Sequence, residues 1–299
     1  MDNEYKSGFI SIIGRPNVGK STLLNNILGE KLAIISSKPQ TTRNTIRCVH
    51  TTDEYQMVFI DTPGIHKPKN KLGDYMVEVA SRTLKEVDVV LFLVDEKKTG
   101  PGDKYILEEL KNIKTKKILI INKIDRLSQE ELLQKIEELK SYDQIDEIIP
   151  ISAMKGKNID ALLKLILQSI PQGPQYFPED MITEQPEKIL TAELVREKTL
   201  QLLEDEVPHG IAVEVMSMKQ RKNKLLYDIE VNIYCERKSH KGIIIGKEGK
   251  MLKQIGILAR KDIENLLACK VNLQLWVKVR AGWRDKEFDL RDLGYKNKG

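Results

Sequence analysis

Three deficits narrow the reading of this 299-residue chain before any motif is considered. Cysteine is scarce: Cys48, Cys235 and Cys269 lie far apart, without the spacing of metal ligands, and read as reduced structural thiols rather than a zinc site or a disulfide frame. Long apolar runs are missing. No stretch approaches the roughly 20 residues that a membrane-crossing helix needs, and the start MDNEYKSGF carries neither the basic nor the apolar region of a signal peptide. A cytoplasmic location is the expectation. Aromatics are few, at 5%, while charged residues reach 31%, the composition of a globular chain long enough for two domains.

What charge excess exists is unevenly placed. Residues 1–180 are neutral, whereas 181–299 hold 23 Lys and Arg against 18 Asp and Glu, the whole net +5. Between Lys219 and Lys261 the count is 12 basic to 4 acidic residues, a local excess that suits a polyanion.

The first half alternates apolar runs, at 9–14, 57–61, 89–95, 117–123 and 147–152, with helical patterns near 20–29, 73–86, 102–113, 128–141 and 158–169. That alternation predicts a mostly parallel sheet with helices on both faces. Prolines from Pro171 to Pro186 interrupt it and mark a linker. Beyond it, a helix near 189–205, strands at 210–218 and 225–235, a helical region around Gly246–Gly249 and a last strand at 271–279 give the order α-β-β-α-α-β.

Gly14-Arg15-Pro16-Asn17-Val18-Gly19-Lys20-Ser21 follows a strand and opens a helix, the setting of a P-loop. Its glycines let backbone N–H groups wrap phosphates, aided by the positive end of the helix dipole. Lys20 is expected to reach the β- and γ-phosphates, and the Ser21 hydroxyl to bind Mg²⁺. Asp61-Thr62-Pro63-Gly64 closes another strand; Asp61 is placed to hold the metal through water and the Gly64 N–H to meet the γ-phosphate. Asn122-Lys123-Ile124-Asp125 ends a further strand. The Asp125 carboxylate can accept from N1–H and the 2-amino group of guanine, donors that adenine lacks, so GTP and GDP are the expected ligands. Ser152-Ala153, after the next strand, are expected to contact the base through backbone N–H.

Pro39–Asn44 is a polar stretch suited to a mobile switch, with Thr42 favoured over Thr41 to complete the magnesium shell. The second switch is expected from Asp61 through Asn70. GTPases that orient water with a side chain often place Gln after the switch glycine; here Ile65 stands there, and slow intrinsic hydrolysis is expected. Asn17 offers a carbonyl for a monovalent cation such as K⁺, or merely shapes the loop. The catalytic set expected is thus Lys20, Thr42, Gly64 and Asn17.

Gly246-Lys247-Glu248-Gly249 is uninformative alone. Its setting adds weight: GIII precedes it, a long amphipathic helix follows, and Arg237, Lys238, Lys241, Lys250 and Lys253 surround it. KH domains carry a GxxG loop in that place, close to single-stranded nucleic acid. Gly242, Ile245, Gly246, Lys247, Glu248, Gly249, Lys250 and Lys253 are the expected RNA-contacting residues.

The motifs GRPNVGKS, QTTRN, DTPGIHKPK, NKID and ISA, followed by a GKEG-bearing domain, resemble the Era family of bacterial GTPases over essentially the whole chain. The resemblance implies a GTP-binding domain over 1–172, a linker at 173–186 and an RNA-binding region over 187–299, with an α+β type II KH domain at about 200–285. It implies a monomeric GTPase that binds near the 3′ end of 16S rRNA and acts on the 30S subunit precursor. Ile65 matches the family's hydrophobic residue at that position. The family's peripheral association with the inner face of the cell membrane supplies an alternative, a membrane-associated signalling GTPase coupling growth or cell cycle to ribosome status.

Overall fold

The computed structural model describes residues 5–30, 42–63, 68, 70–96, 98–222 and 224–295. The backbone divides at Glu184/Gln185 into two main compact units.

In the first unit a six-stranded sheet runs in the order β2-β3-β1-β4-β5-β6. The strands are β1 (Lys6–Gly14), β2 (Ile46–Thr51), β3 (Tyr55–Asp61), β4 (Val89–Val94), β5 (Lys116–Ile121) and β6 (Glu147–Pro150). All pair in parallel except β2, which is antiparallel to β3 at the edge. The central strands are near-continuous apolar runs because helices cover both faces. Every residue of β4 is buried, and Ile13, Phe92, Leu119 and Ile121 share one cluster with Ile106, Leu107 and Leu110 of the helix Pro101–Leu110. The helices are α1 (Lys20–Leu28), α2 (Lys71–Thr83), α3 (Pro101–Leu110), α4 (Gln129–Lys140) and α5 (Ile159–Ser169).

The sequence pattern did not reveal β2. Its run IRCVHT is short and half polar, and it becomes a strand because β3 offers an open edge. The proline-marked stretch also differs from a free tether. Gln172 bridges to Lys6, the Val49 N–H donates to the Ile182 carbonyl at 2.8 Å, and Cys48 bridges to Thr183. The chain after α5 therefore straps the outer edge of β2, and the division between units falls at the far end of the expected linker.

The second unit opens with α6 (Glu187–Leu202). A three-stranded sheet follows in the order β7-β8-β9, from β7 (Ala212–Gln220), β8 (Leu226–Cys235) and β9 (Lys270–Val279). β7 and β8 are antiparallel, β8 and β9 parallel, and β9 is an edge. Between β8 and β9 lie α7 (Lys238–Ile245) and α8 (Lys250–Leu267). One face of the sheet, including Val231, Ile233, Val271 and Val277, packs against Leu194, Ile244, Ile255, Ala259 and Ile263 of these helices. A short α9 (Glu287–Asp292) follows the buried Trp283, whose Nε1 donates to the Gly210 carbonyl at 2.9 Å. The order is α-β-β-α-α-β, as the pattern predicted.

Candidate nucleotide site and nucleic-acid interface

The expected nucleotide motifs converge at one end of the first sheet, just past the carboxyl ends of β1, β3, β5 and β6. β1 lies between β3 and β4, so the connections depart to opposite sides there, the place where open α/β sheets hold ligands. The phosphate loop requires its glycines. Gly14 has φ +151° and a Cβ there would sit 2.5 Å from the Leu93 carbonyl oxygen; Gly19 has φ +104° and a Cβ would collide with the Asn122 amide. Asn17 takes the left-handed conformation at φ 68°, and Val18 is fully buried. Arg15 turns its guanidinium away from the loop interior toward Asp95 and Asp103, with Pro16 half-buried beside it.

Lys20 is buried and its Nζ donates to the Gly14 and Arg15 carbonyls, both at 3.1 Å, so the ammonium lies inside the loop. Burial holds this ammonium below its usual range, opposed by the charge of Asp61. Asp61 is also fully buried. Its Oδ2 accepts from Thr42 Oγ1 at 3.1 Å and from Ser21 Oγ at 3.3 Å. Its Oδ1 is buried without a partner. Burial raises the carboxyl above its usual range, opposed by Lys20 and by the two hydroxyls. Two hydroxyls and a carboxylate whose second oxygen is buried without a partner form a hard oxygen-donor set that fits Mg²⁺. Thr62 Oγ1 donates to the Ile12 carbonyl at 2.9 Å and Pro63 is buried, which fixes the strand end below Asp61. Thr41, Gly64, Ile65 and His66 lie outside the described residues.

Asn122 is the hub of the base loop. Its Nδ2 donates to the Val18 carbonyl at 2.7 Å, and its Oδ1 accepts from the Lys123 and Ala153 amides at 2.8 and 2.9 Å. Lys123 is left-handed at φ 65°, which turns the chain so that Ile124 points inward and Asp125 outward. The Ser152 hydroxyl donates to Asp125 Oδ1 and is the main cause holding that carboxyl below its usual range. The Ser152 side chain thereby anchors Asp125. The Ser152 N–H donates to the Lys157 carbonyl at 3.1 Å and the Ala153 N–H to Asn122 Oδ1 at 2.9 Å.

In the second unit the GxxG stretch forms a tight bridge between α7 and α8. Gly246 has φ +73°, and a Cβ there would lie 2.7 Å from the Met251 Cβ; Glu248 and Gly249 are also at positive φ, 55° and 76°. Lys247, Glu248 and Lys250 are exposed, Gly242 is exposed on α7, and Ile245 is half-buried at its end. Lys250 pairs with Glu248 at 3.0 Å. A groove of about 560 Å³ begins at Gly249 and runs along α8 and the β9 edge, lined also by Leu252, Lys253, Gly256, Ile257, Arg260, Leu273 and Leu275. Of the expected contact residues, Gly249 and Lys253 line it. The apolar floor from Leu252, Ile257, Leu273 and Leu275 was not anticipated. The helical spacing of Lys253, Ile257 and Arg260 was its only signal.

Comparison with known proteins finds a match in each unit. A family model described as 50S ribosome-binding GTPase matches residues 9–123, and a KH domain model matches residues 206–284. The GTPase Era of Alkaliphilus metalliredigens is 61% identical over 293 residues, covering 98% of this chain and 99% of the relative. The chain belongs to the Era GTPase family. The Era of Clostridioides difficile is 58% identical over 298 residues, covering 98% of this chain and all of the relative. Among solved structures, an Era in complex with MgGDPNP and nucleotides 1506–1542 of 16S ribosomal RNA matches with TM-score 0.95 at 44% identity, over 98% of this chain and 100% of that one. An Era variant from Aquifex aeolicus bound to GDP and aluminium fluoride matches over the same shares with TM-score 0.94, also at 44% identity. The Era fold, a P-loop GTPase domain with a C-terminal KH domain, is the fold of this chain, and among the described residues no helix is long and apolar enough to cross a membrane.

Proposed function

We propose that this Era GTPase is a nucleotide-controlled switch that grips the 3′ region of 16S rRNA during assembly of the small ribosomal subunit in the cytoplasm. The observation that carries the reading is the presence, in one chain, of a phosphate loop with a guanine-selecting carboxylate and of a basic GxxG groove with an apolar floor. A relative similar along its whole length was solved with both a GTP analogue and 16S rRNA.

In this reading Lys20 neutralises the β- and γ-phosphates, while Ser21, Thr42 and Asp61 hold Mg²⁺, Asp61 through water. Bound there, the metal supplies positive charge to the phosphate oxygens as charge builds up in transfer. Thr42 donates to the same Asp61 oxygen as Ser21, so ordering of its loop by γ-phosphate would alter the metal shell directly. Ile65 offers no side chain to orient water, which keeps turnover slow. Asn17 contributes a carbonyl beside the phosphates, where K⁺ would add charge; equal GTPase rates in K⁺ and Na⁺ would remove that role. At the second site Lys247, Lys250, Lys253 and Arg260 face the RNA backbone, and Gly249, Gly256 and Ile257 face the bases.

The test is RNA affinity at fixed salt for an oligonucleotide of the 16S 3′ end, with GDP or a non-hydrolysable GTP analogue bound. Tighter binding with the analogue is expected; equal affinities contradict the switch. Anionic vesicles that displaced the RNA would instead favour a peripheral membrane role for the basic face.

A further inference from the structure

Arg15 follows the first glycine of the phosphate loop, where the backbone alone serves the phosphates. Its side chain is nevertheless held by a built receptor. The Nε donates to Asp103 Oδ1 at 2.6 Å and Nη2 to Asp95 Oδ1 at 3.0 Å. The two carboxylates are only 1% and 6% exposed. Asp103 sits in the first turn of α3, and its Oδ2 accepts from the Gly100 N–H at 3.0 Å, so the helix start fixes it. Gly102 leaves room for the arginine stem, since a Cβ there would lie 2.8 Å from Arg15 Cδ. The other oxygen of Asp95 accepts from Lys123 Nζ at 3.3 Å, and Lys123 also pairs with Glu96 at 3.5 Å. One buried carboxylate thus joins the phosphate loop to the base loop, beside the Asn122–Val18 bond.

We infer that Asp95 and Asp103 are positioning residues for nucleotide binding, forming a clasp that fixes the separation of the phosphate and base loops before nucleotide arrives. GDP must satisfy both loops at once, so its affinity depends on their spacing being set in advance. Charge-assisted bonds to carboxylates this buried are stiff enough to set it. GMP ends at its α-phosphate and leaves the β-phosphate cradle empty, so its binding depends far less on that spacing.

The inference rests on the guanine-nucleotide reading of the site and is tested with the full chain. GDP affinity is measured with a fluorescent GDP analogue, and GMP affinity by competition, for wild type, Asp95→Asn and Asp103→Asn. Asparagine keeps the shape of each side chain, and Asp103→Asn retains an acceptor for the Gly100 N–H. The ratio of GDP to GMP affinity is expected to fall about tenfold in each variant. Partial unfolding scales both affinities alike, so the ratio reports the clasp even in a destabilised variant. An unchanged ratio, whether both affinities hold or fall together, overturns the inference. Wild type that failed to bind GDP would instead overturn the nucleotide reading itself.

Discussion

Gln56, on β3 and fully buried, holds the strap after α5 through its carboxamide. Its Oε1 accepts from the Tyr176 and Phe177 amides at 2.8 and 2.9 Å; its Nε2 donates to the Phe177 carbonyl at 2.9 Å and to Thr51 Oγ1 at 3.0 Å. Gln56→Met keeps the side-chain volume and removes all four bonds. At about 1 kcal/mol net each, the loss is at most about 4 kcal/mol. Strap groups that peel into water recover part of it, which sets a lower figure of about 2 kcal/mol. The strap retains the Val49–Ile182 pairing, the Thr183–Arg47 bond and the Phe9–Tyr176 ring contact, so opening should stay local. Hydrogen exchange read by mass spectrometry should then show strap amides between 173 and 184 losing roughly 30- to 1,000-fold of their protection, while β1 and β4 are unchanged. Protection within about threefold of wild type would refute the anchoring of the strap by Gln56.

Three further outcomes follow from the sites. Asp125→Asn replaces an acceptor of two guanine donors by a group that offers only one acceptor, and should weaken GTP by at least about 100-fold while admitting xanthosine nucleotide, read by competition binding. Gly256→Leu puts a side chain into the groove floor, where only Leu275 approaches a Cβ, at 3.4 Å. It should abolish RNA binding in a mobility-shift assay while raising stability by up to about 1 kcal/mol, because glycine is a poor helix former. Cys48, pushed up to about 12 by burial with the Asp61 charge adding to it, should resist iodoacetamide at pH 8 about a thousandfold more than in the unfolded chain, by mass spectrometry. Its native thiol holds the proton longer than the unfolded one, so its contribution to stability is present below about pH 9 and is lost between about pH 9 and 12.

The nucleotide site was legible in the chain because its chemistry is local. Gly14, Gly19, Lys20 and Ser21 must follow one another to wrap a phosphate, and Asn122 and Asp125 stand at fixed spacing after an apolar strand. The same holds for Gly246 and Gly249, whose backbone conformation no other residue adopts cheaply. Apolar runs with flanking turn residues likewise dictated the central strands and most helices.

Tertiary structure decided what depends on partners distant in the chain. β2 is a strand only because β3 presents an edge, and the proline-rich stretch is held in part because Gln56, 120 residues away from Tyr176, bonds to it. Ser152 proved to be the anchor of Asp125, and Asp103 the receptor of Arg15 across 88 positions. The groove floor needed the β9 edge brought beside α8 before Leu273 and Leu275 could join Gly256. Sequence spacing encodes backbone conformation and short-range chemistry; a contact closed over a hundred residues has no periodicity to announce it, and only the packed sheet supplies it.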